Sequence, residues 1–442
     1  MQHIIDAVEK YRQLILDSER YIWQHPETGY KEFATNKYMA DTFRKLGYDL
    51  VCPDDITGFY TVIDTGREGP EVMILAELDS IICPAHPDAD KNTGAVHSCG
   101  HNAQCAAMTG IAAALKEPSV LEKLNGKIRL CLVPAEELLE IEYRSELKNK
   151  GVIKYLGGKN EFLSRGYFDG VNIAFMVHTA EHYKVTNGSV GCITKKIIYK
   201  GKSAHAGSSP WEGNNALYAA NCGLNAVNAI RETFKESDII RVHPIITNGG
   251  DIVNAIPETV RLESFVRGNS FDAIVETNKK VNQALIGAAL SINTNIEIID
   301  APGYAPLKND YNMRLLAKEA ADMIIPEHNC QFTEHVSSGS TDMGDLSCIM
   351  PVIHPYAGGE CGTAHGNNYK IADPVAACVD SAKWQLAMLE LLLKDDAKRA
   401  KQIISDFKPQ FESKEAYLSF IDSLNSSGER IVYNGENTTV KL

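Results

Sequence analysis

The sequence predicts an α/β protein: a mostly parallel sheet covered by helices, with a smaller βαββαβ unit inserted into it. Three observations carry this. Short, nearly continuous apolar runs at 72–79 (VMILAELD), 128–137 (IRLCLVPAEE) and 171–178 (VNIAFMVH) alternate with helical patterns. Strands that are apolar on both faces belong to parallel sheets buried between helices. Between 189 and 302 the texture changes to strand, helix, strand, strand, helix, strand in quick succession, which reads as a compact βαββαβ unit.

The elements follow in order. Residues 4–24 place Ile4, Ile5, Val8, Tyr11, Ile15 and Ile22 near helical spacing, so an amphipathic helix is expected there. Residues 101–116, rich in Ala and Met, read as one covering helix. In the inserted unit, strands are expected over 192–202, 239–248, 259–267 and 293–299, and helices over 211–231 and 272–290. The larger domain then resumes with a helix at 309–325, a strand at 351–355 and an amphipathic helix at 374–393. The expected division is therefore 1–188 and 303–442 as two parts of one domain, with 189–302 inserted. Residues 395–442 are polar and carry no packing signal.

Composition narrows the function. The 442 residues carry a formal charge of −13, with 23% charged and 44% hydrophobic residues, ordinary values for a globular chain of two or three domains. An acidic chain of this kind repels nucleic acid and anionic membranes. No run approaches the roughly 18 apolar residues of a membrane span. The first twenty residues show no export signal, with neither a basic start nor an apolar stretch before a small-residue cleavage site. The 11 cysteines are odd in number and scattered. Cys131 and Cys222 lie within apolar runs, a pattern that suits reduced thiols in a cytoplasm.

In open α/β sheets, ligands bind beyond the carboxyl ends of the strands. Here three predicted strands end in Glu77/Asp79, Glu136/Glu137 and His178, and the helix at 101 begins with Cys99-Gly100-His101. With His365, these supply thiolate, imidazole and carboxylate donors suited to Zn²⁺, Mn²⁺ or a similar divalent ion. Cys99 stands just before a helix, where the dipole favours the thiolate. Asp79 is placed to hold a ligating histidine in its tautomer. Each motif alone is commonplace. Their convergence on one sheet edge points to a metal site.

These motifs resemble those of the co-catalytic metallopeptidases that include aminoacylases, glutamate carboxypeptidases and dipeptidases. The closer likeness is to their amidohydrolase branch of hippurate, indole-acetyl-amino-acid and aminobenzoyl-glutamate hydrolases. The matching segments are AELDS (76–80), HSCGHN (97–102), PAEE (134–137), VHT (177–179), GKSAHAGSSPWEGNNA (201–216), NAIPE (254–258), GSTDMGDLS (339–347) and TAHGN (363–367). The resemblance implies a zinc-exopeptidase-like catalytic domain and an inserted lid or dimerisation domain. It implies Cys99, His101, Glu137, His178 and His365 as ligands of one or two divalent ions, Zn or Mn, with Cys99 bridging. Glu136 then matches the general base and Asp79 the carboxylate behind a ligating histidine. His205 matches a histidine that reaches an active site across a homodimer interface. Asn254 and Arg267 match contacts to a substrate carboxylate.

The chain also departs from the branch pattern. It has Glu77-Leu78-Asp79 where Asp-x-Asp is usual, and His101-Asn102-Ala103-Gln104 where His-Asp-x-His is usual. An extra segment, 83–93, precedes the Cys-Gly-His motif, and its His86 and Asp88 read as solvent-facing loop residues. His97 reads as a structural residue, and His3, His25, His182, His243, His328, His335 and His354 have no partner motif. Asp342 reads equally as a pocket residue or a turn cap.

The expected activity is metal-dependent hydrolysis of the amide bond of an N-acyl or N-aroyl amino acid. A dipeptidase would use the same ions but needs a carboxylate, Glu77 or Asp342, free to receive an α-amine. A non-catalytic metal-binding protein leaves Glu136 and Asp79 without purpose. A cysteine hydrolase built on Cys99 leaves Glu136, Glu137 and His178 unexplained.

Overall fold

The computed structural model describes residues 1–435 and 437–442. The chain separates into two compact units. Unit 1 comprises Met1–Gly188, Lys308–Val336 and Thr341–Glu412, and unit 2 comprises Ser189–Leu307, Ser337–Ser340 and Ser413–Leu442.

Unit 1 is built on a five-stranded sheet. Its strands are β1 (Phe59–Asp64), β2 (Glu71–Glu77), β3 (Lys127–Val133), β4 (Ile173–Phe175) and a short outer strand, Val352–Ile353, in the order β1-β3-β2-β4 and then 352–353. All pairings are parallel except β1 on β3. The parallel register sets Glu77 opposite Val133. The segments that follow β2 and β3 therefore emerge side by side. Strand β1 escapes the sequence pattern because it is an edge strand with alternating exposure, burying Phe59 and Thr61 and turning Tyr60, Val62 and Asp64 outward.

The amphipathic segment 4–24 forms two helices, α1 (Gln2–Lys10) and α2 (Arg12–Trp23). The break falls at Tyr11, whose backbone leaves the helical region (φ −107°, ψ 12°) while its hydroxyl donates to Glu117 Oε1 at 2.5 Å. Helix α3 (His101–Ala114) is buried along its whole length. It packs against α2 so closely that a Cβ at Gly110 would lie 2.5 Å from Ile15 Cδ1. The strand expected over 171–178 ends at Phe175, and His178–Thr179 pairs instead with Tyr356–Ala357 in a separate four-stranded sheet. The last apolar helix opens with a π turn, Val375–Asp380, and continues as Ser381–Leu393.

Unit 2 is a six-stranded antiparallel sheet covered by α4 (Ala216–Ala229) and α5 (Phe271–Ser291). Its principal strands are β5 (Gly191–Lys200), β6 (Ile245–Asn248), β7 (Thr259–Gly268), β8 (Asn295–Pro302) and β9 (Ser426–Glu429). Helix α5 starts within a residue of the expected position, capped by Ser270, which accepts from Ala273 N–H, whereas α4 starts at Ala216 rather than at 211, where Asn215 caps it by accepting from the Leu217 and Tyr218 N–H groups. The strand expected over 239–248 is divided into Arg241–Val242 and β6, both paired with β7.

The polar tail does not stay with the larger domain, as the sequence division had it. Residues 413–442 cluster with unit 2. Strand β9 pairs with β8, from Glu297↔Glu429 to Asp300↔Ser426, and so covers an edge that would otherwise expose unpaired backbone groups. Among the described residues, no helix is long and apolar enough to cross a membrane.

Trp384 is the bulkiest fully buried side chain of the last apolar helix, and its indole N–H donates to the Ala317 carbonyl at 2.8 Å. Trp384→Ala is expected to destabilise unit 1 by about 3–5 kcal/mol, read as a lower midpoint in urea unfolding followed by circular dichroism.

Candidate active site

The donors meet where the carboxyl ends of β2 and β3 face the start of α3. Gly100 turns the chain through a left-handed conformation (φ 82°), so Cys99 precedes the helix and His101 opens it. Cys99 Sγ lies 3.5 Å from His178 Nε2 and 3.4 Å from His365 Nε2. His365 Nε2 is 3.0 Å from Glu137 Oε1. Two trios result, Cys99/His101/His178 and Cys99/Glu137/His365, each with its donor atoms within 4.8 Å of one another. Cys99 belongs to both.

The surrounding hydrogen bonds aim these donors inward. His101 Nδ1–H donates to the Asp79 carbonyl (2.9 Å) and to Asp79 Oδ1 (3.2 Å), which turns Nε2 towards the cluster. The other Asp79 oxygen accepts the backbone N–H of Glu137 at 2.8 Å. His178 Nδ1–H donates to the Thr179 carbonyl at 2.8 Å. Two backbone positions are strained, Ala135 (φ 55°) and His365 (φ 63°). Ala135 N–H is held by Glu32 Oε1 at 2.8 Å, and His365 N–H by the Ser98 carbonyl at 2.8 Å.

The donor set fits divalent cations. His101 Nε2 and Glu137 Oε1 are buried without a well-aligned hydrogen bond, their contacts to Glu77 Oε2 and His365 Nε2 being ionic only, an arrangement that a ligand would complete. The local charges favour the ligating forms. Burial and Glu137 push the Cys99 thiol up, but His101 and His178 bring it down to about 6. Burial raises Glu137, yet His365 holds it at about 2.

Glu136 lies in the same pocket, buried, with Oε2 3.9 Å from His101 Nε2. Burial, Glu77 and Glu137 raise its carboxyl well above the usual carboxylate range. Such a shift suits a group that must take and return a proton near neutrality.

Beside these residues lies a buried ionic cluster absent from the expected site. The Lys159 ammonium contacts Glu77 Oε1 at 2.5 Å and pairs with Asp342, whose other oxygen accepts the Lys159 backbone N–H at 2.9 Å. Gln104 Nε2 donates to Glu77 Oε2 at 2.8 Å, and His101 Nε2 lies 3.1 Å from that same oxygen. Glu77, Lys159 and Asp342 are all essentially inaccessible to solvent. Burial opposes ionisation of Glu77, but Lys159 and His101 keep it ionised. The signal available in sequence was electrostatic: acidic groups converging on one edge require a cation, and Lys159 opens a short helix, Gly158–Ser164.

Several readings need correction. His86 is not solvent-facing. It is buried, its Nε2 bonded to the Tyr369 carbonyl at 2.8 Å and its Nδ1 accepting Asp88 N–H at 3.0 Å. Asp88 accepts from the Trp23 indole at 3.2 Å but is exposed, as expected, so of these two residues in the 83–93 segment only His86 turns inward. Asp342 precedes a short helix, but its side chain makes no capping bond and serves Lys159 instead. His354 is buried with its ring 5.7 Å from that of His178. His97 is also buried, and burial lowers both His97 and His354 to about 3, so both are neutral.

The other expected residues lie in unit 2. His205 is exposed, and its Nδ1 accepts the backbone N–H groups of Gly207 (3.1 Å) and Ser208 (3.0 Å), which leaves Nε2–H pointing outward as a donor. Asn254 is adjacent, its carbonyl accepting Ala206 N–H at 2.9 Å. Arg267 sits apart on β7, half-buried over the Phe265 ring, with Nη1 donating to Ser340 Oγ at 3.1 Å and Nε buried without a partner.

A helix-covered sheet that gathers thiolate, imidazole and carboxylate donors around a buried glutamate defines a metal-dependent hydrolase. Residues 74–391 match the family described as Peptidase family M20/M25/M40, and the chain belongs to that family. It is an enzyme acting on C–N amide bonds. The chain is 30% identical over 370 residues to the Xaa-Arg dipeptidase of Mus musculus, an alignment that covers 80% of this chain and 78% of that one. It is 29% identical over 328 residues to the N-acetyl-L-cysteine deacetylase of Bacillus subtilis, covering 70% and 72% respectively. Its fold matches a crystal structure of the Bacillus subtilis YxeP protein, described as a dinuclear metal binding peptidase, with TM-score 0.63 and 20% identity over 87% of this chain and 99% of that one.

In chelator-treated protein, iodoacetamide is expected to modify Cys99 at a rate that climbs with pH through about 6 and then levels, because the thiolate is the nucleophile. Buried Cys131, pushed up to about 12, stays unreactive. Added Mn²⁺ should protect Cys99, and Cys99→Ser should lower metal content in elemental analysis. Full metal retention in Cys99→Ser would exclude a bridging sulfur.

Proposed function

We propose that the enzyme cleaves the amide bond of an N-acyl or N-aroyl amino acid, releasing a carboxylic acid and an amino acid. One observation carries this choice over the dipeptidase reading. Glu77 and Asp342, the carboxylates that a free α-amine would need, are both engaged by buried Lys159. An incoming ammonium would have to displace that cation from a site closed to water. The likeness to an N-acetyl-L-cysteine deacetylase supports the same reading, and the likeness to an Xaa-Arg dipeptidase keeps its rival in view.

In this reading Cys99, His101 and His178 hold one divalent ion, and Cys99, Glu137 and His365 a second, Zn or Mn. The dinuclear description of the YxeP protein agrees with that arrangement. The chemistry such ions supply when bound is acidification of water and polarisation of a carbonyl. Glu136 takes the proton of the attacking water and returns it to the leaving nitrogen. Asp79 keeps the His101 ring in register. Arg267, with a free Nε edge, and Asn254 receive the carboxylate of the amino-acid half. His205 donates its outward Nε2–H to the developing oxyanion.

His205 serves the site of a second copy. The β8 edge of unit 2 is covered by β9, but strand β6 is exposed at all four positions. Ile245, Ile246, Ile252 and Val253 are exposed beside it, Val253 at 95%. Pairing through this edge gives a two-fold homodimer. The 11 cysteines are all free, which supports a reducing, cytoplasmic setting.

A panel of N-acyl and N-aroyl amino acids against free dipeptides, with Mn²⁺ or Zn²⁺ supplied, tests substrate class. Efficient dipeptide cleavage without N-acyl turnover would reverse the assignment. Glu136→Gln is expected to bind metal normally and to lose at least ~10²-fold in kcat.

Mixing inactive Glu136→Gln chains with inactive His205→Ala chains tests the shared site. Random exchange should restore activity towards about a quarter of wild type, since each mixed dimer has one intact site. No recovery despite demonstrated exchange would confine His205 to its own chain.

A further inference from the structure

Unit 2 contains a cavity of about 450 Å³, lined by none of the site residues assigned above. One wall is α5, the floor is β5 and β8, and the other wall is the tail, through Leu424, Ser426 and Arg430. The tail lies outside residues 74–391, the part of the chain that matches the family. Only that wall of the cavity lies beyond the matched stretch; α5, β5 and β8 lie within it. Its size is that of ordinary small-molecule sites.

The floor holds a closed ion pair, and the tail wall holds an arginine. Lys195 is fully buried, paired with Asp300 and bonded to Asn278 Oδ1 at 2.8 Å and Asn282 Oδ1 at 2.5 Å. The second Asp300 oxygen accepts Asn278 Nδ2 (3.0 Å) and Asn282 Nδ2 (2.9 Å). Asp300 is thus fully engaged. Arg430 has no carboxylate partner among the described residues. It donates to Ser426 Oγ at 2.5 Å and towards the Ile298 carbonyl at 3.5 Å, and its Nε is buried without a partner. Burial and Arg430 together push the Lys195 pKa down despite Asp300. Lys195 is satisfied by these bonds, whereas Arg430 is half-buried and keeps a buried Nε–H without an acceptor.

We propose that this cavity binds a small amphipathic carboxylate, its anion on Arg430 and its apolar body against Ile193, Val275 and Leu424. Exposed Lys279 at the rim draws the anion in.

Calorimetric titration of the full chain with octanoate tests this, with 1-octanol as the uncharged control. The expected result is saturable octanoate binding that 1-octanol does not reproduce, weakened at least about tenfold by Arg430→Gln, as for loss of a charge-assisted contact. Val275→Trp, which fills the cavity without touching a charge, should abolish it, and Arg267→Gln should leave it intact. Circular dichroism and a cooperative melt establish that each variant is folded. Absence of saturable binding would overturn the proposal. So would wild-type binding in either folded cavity variant, or loss of binding in Arg267→Gln.

Discussion

Charge balance under a closed sheet edge is the constraint on which the site depends. Glu32, Glu77, Asp79, Glu136, Glu137 and Asp342 are all buried. Carboxylates so placed cannot all ionise unless cations or donors compensate them. Lys159 answers Glu77 and Asp342 directly, and Thr57 Oγ1 and the Ala135 N–H answer Glu32. Glu137 and the Cys99 sulfur are answered only by imidazoles, His365 for Glu137 and His178 and His365 for Cys99. That is where a divalent cation would gain most.

The backbone supports this distribution. Parallel pairing of β2 and β3 brings Asp79 and Glu137 to one edge in register, so one carboxylate can hold both the His101 ring and the Glu137 backbone. The strained turns at Ala135 and His365 are stabilised by single, well-aimed backbone bonds. Left-handed conformations at non-glycine residues cost of order 1–3 kcal/mol and persist only where the surroundings enforce them. Ala135 lies two residues before Glu137 and His365 is itself a proposed ligand, so the strain is spent on direction.

Unit 2 treats its two sheet edges differently. The tail closes the β8 edge with a strand of its own, whereas β6 keeps bare backbone and exposed isoleucines. An open apolar edge is a liability in a monomer and an asset in a symmetric pair. The same tail forms one wall of the cavity in unit 2. The polar composition of 395–442 thus conceals two roles, edge cover and cavity wall.

The sequence by itself determined the class of fold, the sheet strands that end in acidic residues, the convergence of Cys99, His101, Glu137, His178 and His365, and the family resemblance. Apolar periodicity and strand-end chemistry are local, and they are legible one segment at a time. Only the tertiary structure decided that Lys159 neutralises Glu77 and Asp342, that His86 is interior, that Tyr11 breaks the first helix, and that residues 413–442 join the inserted unit. Each of these depends on a partner distant in the chain, Lys159 on Asp342 and β9 on β8. Such pairings are settled by the burial of charge and of sheet edges, which no single segment records.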